Sequence, residues 1–114
     1  MSDINYSVLL SLHDLIQNLY YDFEDMKWDA IAFEEYLNDN GIFFDENGTH
    51  LFKFMTDISS YTPSFLSNFV RKQDNGPFGV YYIVEERIGN STSTASLIIP
   101  EDIVLLFNKE NKIK

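Results

Sequence analysis

The chain has 114 residues, of which 45% are hydrophobic, and a formal net charge of −10. This length and composition predict a single domain, residues 1–114, with its own hydrophobic core. Because the sequence contains no cysteine, disulfide frameworks, thiolate metal sites and cysteine nucleophiles are excluded. No segment has the pattern of a signal peptide or the roughly 18 apolar residues of a membrane span, so we expect a cytoplasmic protein.

Two helices are predicted in the first 41 residues. Apolar residues recur at intervals of three and four near the start, which predicts an amphipathic helix from about residue 5 to residue 21 with Asp3 as its cap. A shorter helix follows, in which Asp29 can act as the N-cap and Gly41 marks the end. The apolar positions of this second helix are Ile31, Phe33, Tyr36 and Leu37.

The pattern changes after Gly41. Residues 42–54 place Asn47-Gly48 between two apolar runs, which is typical of a β-hairpin. Residues 63–72 fit either a short helix, capped by Thr62 with Pro63 at its first position, or a strand. We expect a turn at 73–79, strands at 79–88, 93–99 and 102–107, and a frayed tail at 108–114.

These elements together define the expected fold class. The sequence predicts an α+β fold in which two N-terminal helices pack on a mostly antiparallel sheet of three to five strands.

Catalytic signals are sparse. His13 and His50 lie on different predicted elements and lack the spacing of a zinc site. The carboxylate pairs Glu34-Glu35 and Glu85-Glu86 cannot form a dyad, because adjacent side chains diverge on a helix and point to opposite faces of a strand. No glycine-rich phosphate loop, calcium loop or nucleophile motif is present. We therefore expect no enzymatic activity, no metal and no cofactor.

The distribution of charge is the most informative global feature. Residues 1–57 carry twelve acids against Lys27 and Lys53, whereas residues 58–114 carry six acids and six bases. The excess is densest in residues 20–46, where nine carboxylates and one lysine stand among many aromatic rings. Such a surface repels nucleic acid and anionic lipid and attracts a basic partner. Met26 and Trp28 lie between the two predicted helices, where an exposed apolar group flanked by carboxylates is typical of a protein-binding site.

The same stretch carries a resemblance to a known family. The run Asp25-Met26-Lys27-Trp28-Asp29, followed by Glu34-Glu35, resembles the staphylococcal-type uracil-DNA glycosylase inhibitors. That family has a Lys-Trp-acid core with a Glu-Glu pair at the same distance, although its acid after the tryptophan is Glu where this chain has Asp. The order of the later elements and the overall length and acidity are also similar.

The resemblance implies a DNA mimic. Members of this family occupy the DNA-binding groove of uracil-DNA glycosylase, place carboxylates where DNA phosphates would lie, and hold the enzyme's minor-groove leucine in an apolar pocket. Its expected partner is therefore this glycosylase, bound by a monomer in a one-to-one complex, with no direct contact to nucleic acid or membrane. The biological consequence would be protection of uracil-containing DNA of a phage or mobile element.

The resemblance also implies roles for individual residues. Asp29 is the expected contact to the enzyme's DNA-binding loops. Trp28 is expected to pack against the second helix and support the acidic track, with direct contact to the enzyme as the alternative. The residues expected to extend this track are Asp22, Glu24, Asp25, Glu34, Glu35 and Asp39. The apolar pocket is expected between helix and sheet, formed by Met26, Phe33, Leu37 and some of Tyr81, Ile83 and Leu97.

Two other functions fit the same acidity. One is mimicry directed at a different nucleic-acid-binding protein, such as a restriction or CRISPR nuclease, or neutralisation of a basic nuclease by an immunity protein. The other is an adaptor whose acidity only confers solubility. Binding through an acidic mimic should strengthen at low ionic strength, whereas a mainly apolar adaptor contact should respond little.

Overall fold

The computed structural model describes residues 4–46, 51–76, 79–87 and 94–113. Within these ranges the helices and strands alternate along the chain, and all strands join one sheet. The elements are α1 (Tyr6–Asp25), α2 (Ala30–Asp39), β1 (Phe43–Glu46), α3 (Leu51–Ser60), α4 (Pro63–Leu66), a 3-10 turn (Ser67–Phe69), β2 (Val70–Gly76), β3 (Gly79–Arg87), β4 (Thr94–Pro100) and α5 (Glu101–Ile113).

The first two helices form where the sequence predicts them. Helix α1 is four residues longer at its C-terminus than expected, and its N-cap is Asn5, whose Oδ1 accepts a hydrogen bond from the Ser7 N–H at 2.8 Å. The expected cap Asp3 lies outside the described residues. Gly41 marks the end of α2 as predicted, because it follows the C-cap Asn40. Its φ of 79° disfavours residues with a Cβ.

The predicted hairpin at 42–54 is wrong. Strand β1 pairs with β4 and not with its successor in the chain, and the residues expected to form the second strand belong to α3. The buried residues of α3 recur at helical spacing, and they are Leu51, Phe54, Met55 and Ile58. The alternation of apolar and polar residues at 51–54 was too short to distinguish the two periods. The turn residues Asn47-Gly48 lie outside the described ranges.

The predicted strand at 102–107 and the predicted frayed tail are also wrong, because residues 102–107 and 108–113 belong to α5, while Lys114 lies outside the described residues. Val104 is buried, and Ile103 and Phe107 pack against the core, so the apolar run presents a helical face. Pro100 ends β4, and the acids Glu101 and Asp102 occupy the first turn of α5, where the helix dipole favours negative charge.

The ambiguous segment 63–72 contains both alternatives in succession. Thr62 caps α4 by accepting the Phe65 N–H at 3.1 Å, as its sequence suggested, and Pro63 occupies the first turn. The 3-10 turn then leads directly into β2 at Val70. Most of the expected turn at 73–79 belongs to strands, because β2 extends to Gly76 and β3 begins at Gly79, and residues 77 and 78 lie outside the described ranges.

The sheet has the order β1-β4-β3-β2 and every neighbouring pair is antiparallel. Alternate residues of the strands enter the hydrophobic core, namely Val70, Tyr82, Val84, Ala95, Leu97 and Ile99. The α+β class and the antiparallel sheet are therefore confirmed, with five α-helices in the described ranges. None of these described helices is both long and apolar enough to span a bilayer.

A polar cluster lies on this core face, where Tyr61, the residue after α3, contacts β3. The side chain of Glu86 is only 8% exposed and accepts a hydrogen bond from the Tyr61 hydroxyl through Oε2. Its other oxygen, Oε1, and the buried Thr56 Oγ1 have no hydrogen-bond partner among the described residues. Burial raises the pKa of Glu86, the Tyr61 hydrogen bond opposes that rise, and the nearby Asp57 carboxylate adds to it.

This burial predicts that Glu86→Gln stabilises the protein at neutral pH. A raised folded-state pKa means that the native chain holds the Glu86 proton more tightly than the unfolded chain, so stability falls as the pH rises from about 4.5 through the raised value. We expect Glu86→Gln to increase the free energy of unfolding by about 1–2 kcal/mol at neutral pH, with little gain in acid. Urea denaturation of the wild-type protein and Glu86→Gln, at neutral pH and in acid, measures the change in the free energy of unfolding. Glu85→Gln is the matched control at an exposed neighbouring carboxylate, and an equal gain there would contradict the explanation.

Candidate partner-binding surface

The turn between α1 and α2 holds the residues that motivated the sequence prediction. The Lys27 N–H donates to the Glu24 carbonyl at 2.9 Å, and the Trp28 N–H donates to the Phe23 carbonyl at 3.1 Å. These two bonds define a Schellman motif, which normally places glycine at the position of Lys27. Lys27 and Trp28 instead have φ values of 60° and 61°, in the left-handed region that is unfavourable for side chains with a Cβ.

The Trp28 ring is both packed and exposed. It meets Phe23 and Tyr20 of α1 at centroid distances of 5.1 and 5.4 Å and Phe52 of α3 at 5.0 Å. The indole therefore packs on rings of α1 and α3, whereas the sequence analysis expected it to pack against the second helix. Because 37% of its surface remains exposed, the same ring is also available to a partner. We refer to Tyr20, Trp28 and Phe52 as the aromatic corner.

Asp29 follows the aromatic corner and serves as the N-cap of α2. Its Oδ1 accepts the Ala32 N–H at 3.1 Å, and the residue is exposed. The carboxylate thus satisfies one free N–H of the helix start and complements the positive end of the helix dipole. Its position at the surface still allows a second contact from outside.

The outer side of α2 is acidic around an exposed apolar residue. Phe33 and Leu37 point into the core, whereas Glu35 and Asp39 are exposed and Glu34 is half-buried. Ile31, predicted as part of the apolar stripe, is instead 76% exposed. Because residues three and four apart are neighbours on a helix, Ile31 lies beside both Glu34 and Glu35. Ile31 and Phe52 are the surface residues that the sequence analysis missed, since an apolar side chain in a helix is ordinarily assigned to the core.

The acids at the end of α1 differ in their environment. Glu24 and Asp25 are exposed in the last turn, where no basic residue offsets the negative end of the helix dipole. Asp22 is half-buried and accepts the Tyr36 hydroxyl at 2.6 Å, which ties α1 to α2. This hydrogen bond, followed by burial and the Asp22 charge, raises the pKa of Tyr36 to about 12. Asp22 is therefore engaged in a contact between the two helices.

The apolar residues expected to form a pocket divide between the hydrophobic core and the opposite side of the sheet. Phe33, Leu37 and Leu97 are fully buried, and Met26 packs against the core at half exposure. Tyr81 and Ile83 point away from the buried residues of β3, so they lie on the other side of the sheet. A cavity of about 320 Å³ is present elsewhere, between α1, the end of α2 and α5. Its walls include Leu19, Asp22, Tyr36, Ile103, Leu106 and Phe107.

The histidines do not form a site in the described part of the chain. One ring nitrogen of His13, Nε2, lies 2.9 Å from the Tyr61 carbonyl oxygen, which gives this half-buried residue a structural role. His50 lies outside the described residues. Among the side chains that the structure describes, no group of three or more His, Cys, Asp or Glu is arranged to hold a metal ion.

Comparison with known proteins adds no assignment. No family model, curated protein or solved structure matches this chain. The candidate surface is therefore defined by its own residues: a strained turn, an aromatic corner, and exposed acids on the two helices that meet there.

The cap geometry predicts different effects for two substitutions at Asp29. Asp29→Ala removes the acceptor for the Ala32 N–H and should lower the free energy of unfolding by about 1 kcal/mol. Asp29→Asn retains a side-chain acceptor and should change it by only a few tenths, or about 0.3 kcal/mol. Urea denaturation distinguishes the two, with the exposed Asp39→Ala as a control that should not destabilise. Equal losses for Asp29→Ala and Asp29→Asn would show that charge, and not capping, is responsible.

The left-handed backbone at Lys27 gives a second prediction. Lys27→Gly should raise the free energy of unfolding by about 0.5–1 kcal/mol, because glycine adopts this φ without a Cβ penalty. Lys53→Gly, at an exposed site inside α3, should lower it by about 1 kcal/mol. Thermal or urea denaturation measures both changes. A loss of stability in Lys27→Gly would mean that the lysine side chain makes a compensating interaction.

Proposed function

We propose that this protein inhibits uracil-DNA glycosylase by occupying its DNA-binding groove as a DNA mimic. The observation that carries the proposal is the corner between α1 and α2. There, exposed carboxylates surround the partly exposed Trp28 and the exposed Ile31. The resemblance of Lys27-Trp28-Asp29 and Glu34-Glu35 to the staphylococcal-type inhibitors supports the same conclusion.

The proposed target requires a surface with these two components. A glycosylase flips its target base out of the duplex, and proteins that unstack DNA commonly insert an apolar wedge beside cationic contacts to the backbone. An inhibitor that replaces DNA therefore needs negative charge next to apolar groups. Residues of α2 and the preceding turn supply both within about one helix length, since ten residues of helix span about 15 Å.

The local energetics also favour a functional explanation of this corner. Glu24 and Asp25 lie where the α1 dipole disfavours negative charge, and Lys27 and Trp28 adopt a backbone that disfavours non-glycine residues. Neither feature stabilises the fold. Locally unfavourable features of this kind are expected at functional sites, where interactions elsewhere in the fold offset their cost.

Residue roles follow from the geometry. Asp29 is the proposed primary contact, accepting hydrogen bonds from the enzyme as a phosphate would, while Glu34, Glu35 and Asp39 continue the track along α2. Glu24 and Asp25 extend it onto α1. Asp22, whose carboxylate accepts the Tyr36 hydroxyl, lies beside the track and forms part of the wall of the cavity between α1, α2 and α5. The cavity beside Asp22 and Leu106 is the proposed receptor for the enzyme's apolar wedge.

This mode of action needs no catalysis by the inhibitor. One chain binds one enzyme molecule, without a cofactor and without direct contact to nucleic acid or membrane. Inhibition should weaken as salt is added, because part of the association rate comes from long-range attraction between the acidic face and a cationic groove.

The direct test is a uracil-excision assay on a uracil-containing oligonucleotide with bacterial uracil-DNA glycosylase. We expect excision to stop at a one-to-one ratio of protein to enzyme. Full excision in the presence of excess folded protein would contradict the proposal. In that event an acidic module for another basic partner, such as a nuclease, would be the better description.

Isosteric variants locate the contact surface. The triple variant Asp29→Asn, Glu34→Gln, Glu35→Gln keeps the α2 cap and the helix but removes three charges, and it should weaken inhibition by about tenfold or more. The control triple variant Asp74→Asn, Glu85→Gln, Asp102→Asn removes the same net charge from β2, β3 and α5 and should leave potency within about threefold. Similar losses in the two variants would show that only total charge matters, and would remove α2 from the interface.

A further inference from the structure

The sheet has a second face that the hydrophobic core does not cover. The residues of β3 and β4 that alternate with the core residues include Tyr81, Ile83 and Ile98, and the pairing of β1 places Phe43 beside Ile98. None of these four belongs to the core cluster or to the partly buried residues packed against it. Phe43 is 51% exposed on an edge strand. We refer to this surface as the outer sheet face.

The outer sheet face carries a row of paired residues across all four strands, and the residues on β1, β4 and β3 are apolar. Phe43 is paired with Ile98, Ile98 with Ile83, and Ile83 with Arg71. The row thus begins at one sheet edge with an aromatic ring and ends at the other edge with a guanidinium. Tyr81 and Pro100 form an adjacent pair on the same face.

The charge of this face differs from that of the rest of the molecule. Its charged residues are Asp45 and Glu85 against Arg71 and Arg87, which sum to zero in a chain of net charge −10. Asp45 lies on β1 and Arg71 on β2, at opposite edges of the sheet. The two strands are separated by about 14 Å across the sheet, at ~4.8 Å per strand. Arg71 also lies 3.6 Å from Glu85, in an exposed pair that holds it at this surface.

We propose that the outer sheet face binds a second copy of this chain. A two-fold axis parallel to the strands, passing between β3 and β4, places β1 of each copy over β2 of the other. Ile98 then meets Ile83 of the second copy at the centre. At each edge the Arg71 guanidinium lies over the Phe43 ring of the second copy and within reach of its Asp45. The same patch is complementary to itself, as an isologous two-fold interface requires.

Charge argues for a second copy as the occupant. A basic partner should prefer the acidic α2 surface, whereas two chains of net charge −10 repel each other everywhere except through a neutral face. Aligned packing of two sheets face to face is a standard arrangement for such surfaces. The seven residues of β4 and the four strands give a footprint of about 20 by 24 Å, at the low end for specific interfaces, so we expect a weak dimer.

This dimer leaves the α1–α2 corner outside the interface. The monomer expected from the sequence would then describe the protein only at concentrations below the dimer dissociation constant. Each chain would keep one site for its proposed enzyme partner. The inference does not depend on the proposed inhibitory function, because it rests on a different face of the molecule.

Sedimentation equilibrium of the intact chain from about 1 µM to about 1 mM tests the association. We expect a reversible monomer–dimer equilibrium with a dissociation constant on the order of 10–100 µM. Phe43→Ser should raise this constant by about tenfold, whereas Leu105→Ser, at a similarly exposed apolar residue on α5, should leave it unchanged. A chain that stays monomeric throughout, or a dimer lost through Leu105→Ser and not through Phe43→Ser, would overturn the proposal.

Charge reversal tests the geometry of the pair. Arg71→Glu and Asp45→Lys should each weaken the dimer by about fivefold, and the double variant should restore it to within about twofold. Both residues are exposed, and circular dichroism confirms that the variants remain folded. Additive losses in the double variant would contradict the proposed two-fold arrangement. Phe43→Ser should also retain any uracil-excision inhibition, and loss of inhibition with an unchanged dimer would assign this face to the enzyme instead.

Discussion

The packing of Phe23 near the end of α1 is the interaction on which the aromatic corner depends. Its carbonyl accepts the Trp28 N–H, and its ring is fully buried, stacked on Phe33 at 4.5 Å and against Trp28 at 5.1 Å. One residue therefore ends α1, orients the turn and anchors α2. The left-handed backbone at Lys27 and Trp28 persists because burial of these rings stabilises it more than the two unfavourable φ values cost.

The packing of this corner explains how its acidic side chains are held in a defined arrangement. Carboxylates on a flexible segment would spread apart, whereas those on α2 are held by a helix whose core side contains Phe33 and Leu37. Asp29 caps this helix and the Asp22–Tyr36 hydrogen bond ties it to α1. A fixed array of charges resembles a duplex backbone more closely than a flexible one, and it loses less entropy on binding.

The two proposed binding surfaces, the α1–α2 corner and the outer sheet face, differ in their charge. The α1–α2 corner concentrates negative charge around Trp28 and Ile31, which suits a cationic partner of different composition. The outer sheet face carries balanced charge around Ile83 and Ile98, which suits its own copy. The core between these surfaces contains few polar groups, and Glu86 is the charged residue buried there in the described ranges.

The features that depend on neighbouring residues could be predicted from the amino-acid sequence. The α1 stripe, the caps Asp29 and Thr62, the stop at Gly41, and the strands β3 and β4 are local patterns, because spacing and backbone preference act over a few residues. The acidity of residues 20–46 is equally a property of the sequence. Of the predicted track, Glu24, Asp25, Asp29, Glu35 and Asp39 are exposed, and Glu34 is half-buried.

The features that depend on residues distant in the sequence could be seen only in the folded chain. Residues 51–60 and 101–113 form helices because their apolar residues meet the core at helical spacing, which four to six residues of pattern could not reveal. Asp22 is tied to α2 because Tyr36, fourteen positions away in the sequence, approaches it in space. Ile31 and Phe43 lie at the surface, and Ile83 on the outer sheet face, because hydrophobicity specifies a preference for burial but not which face of an element finds a neighbour.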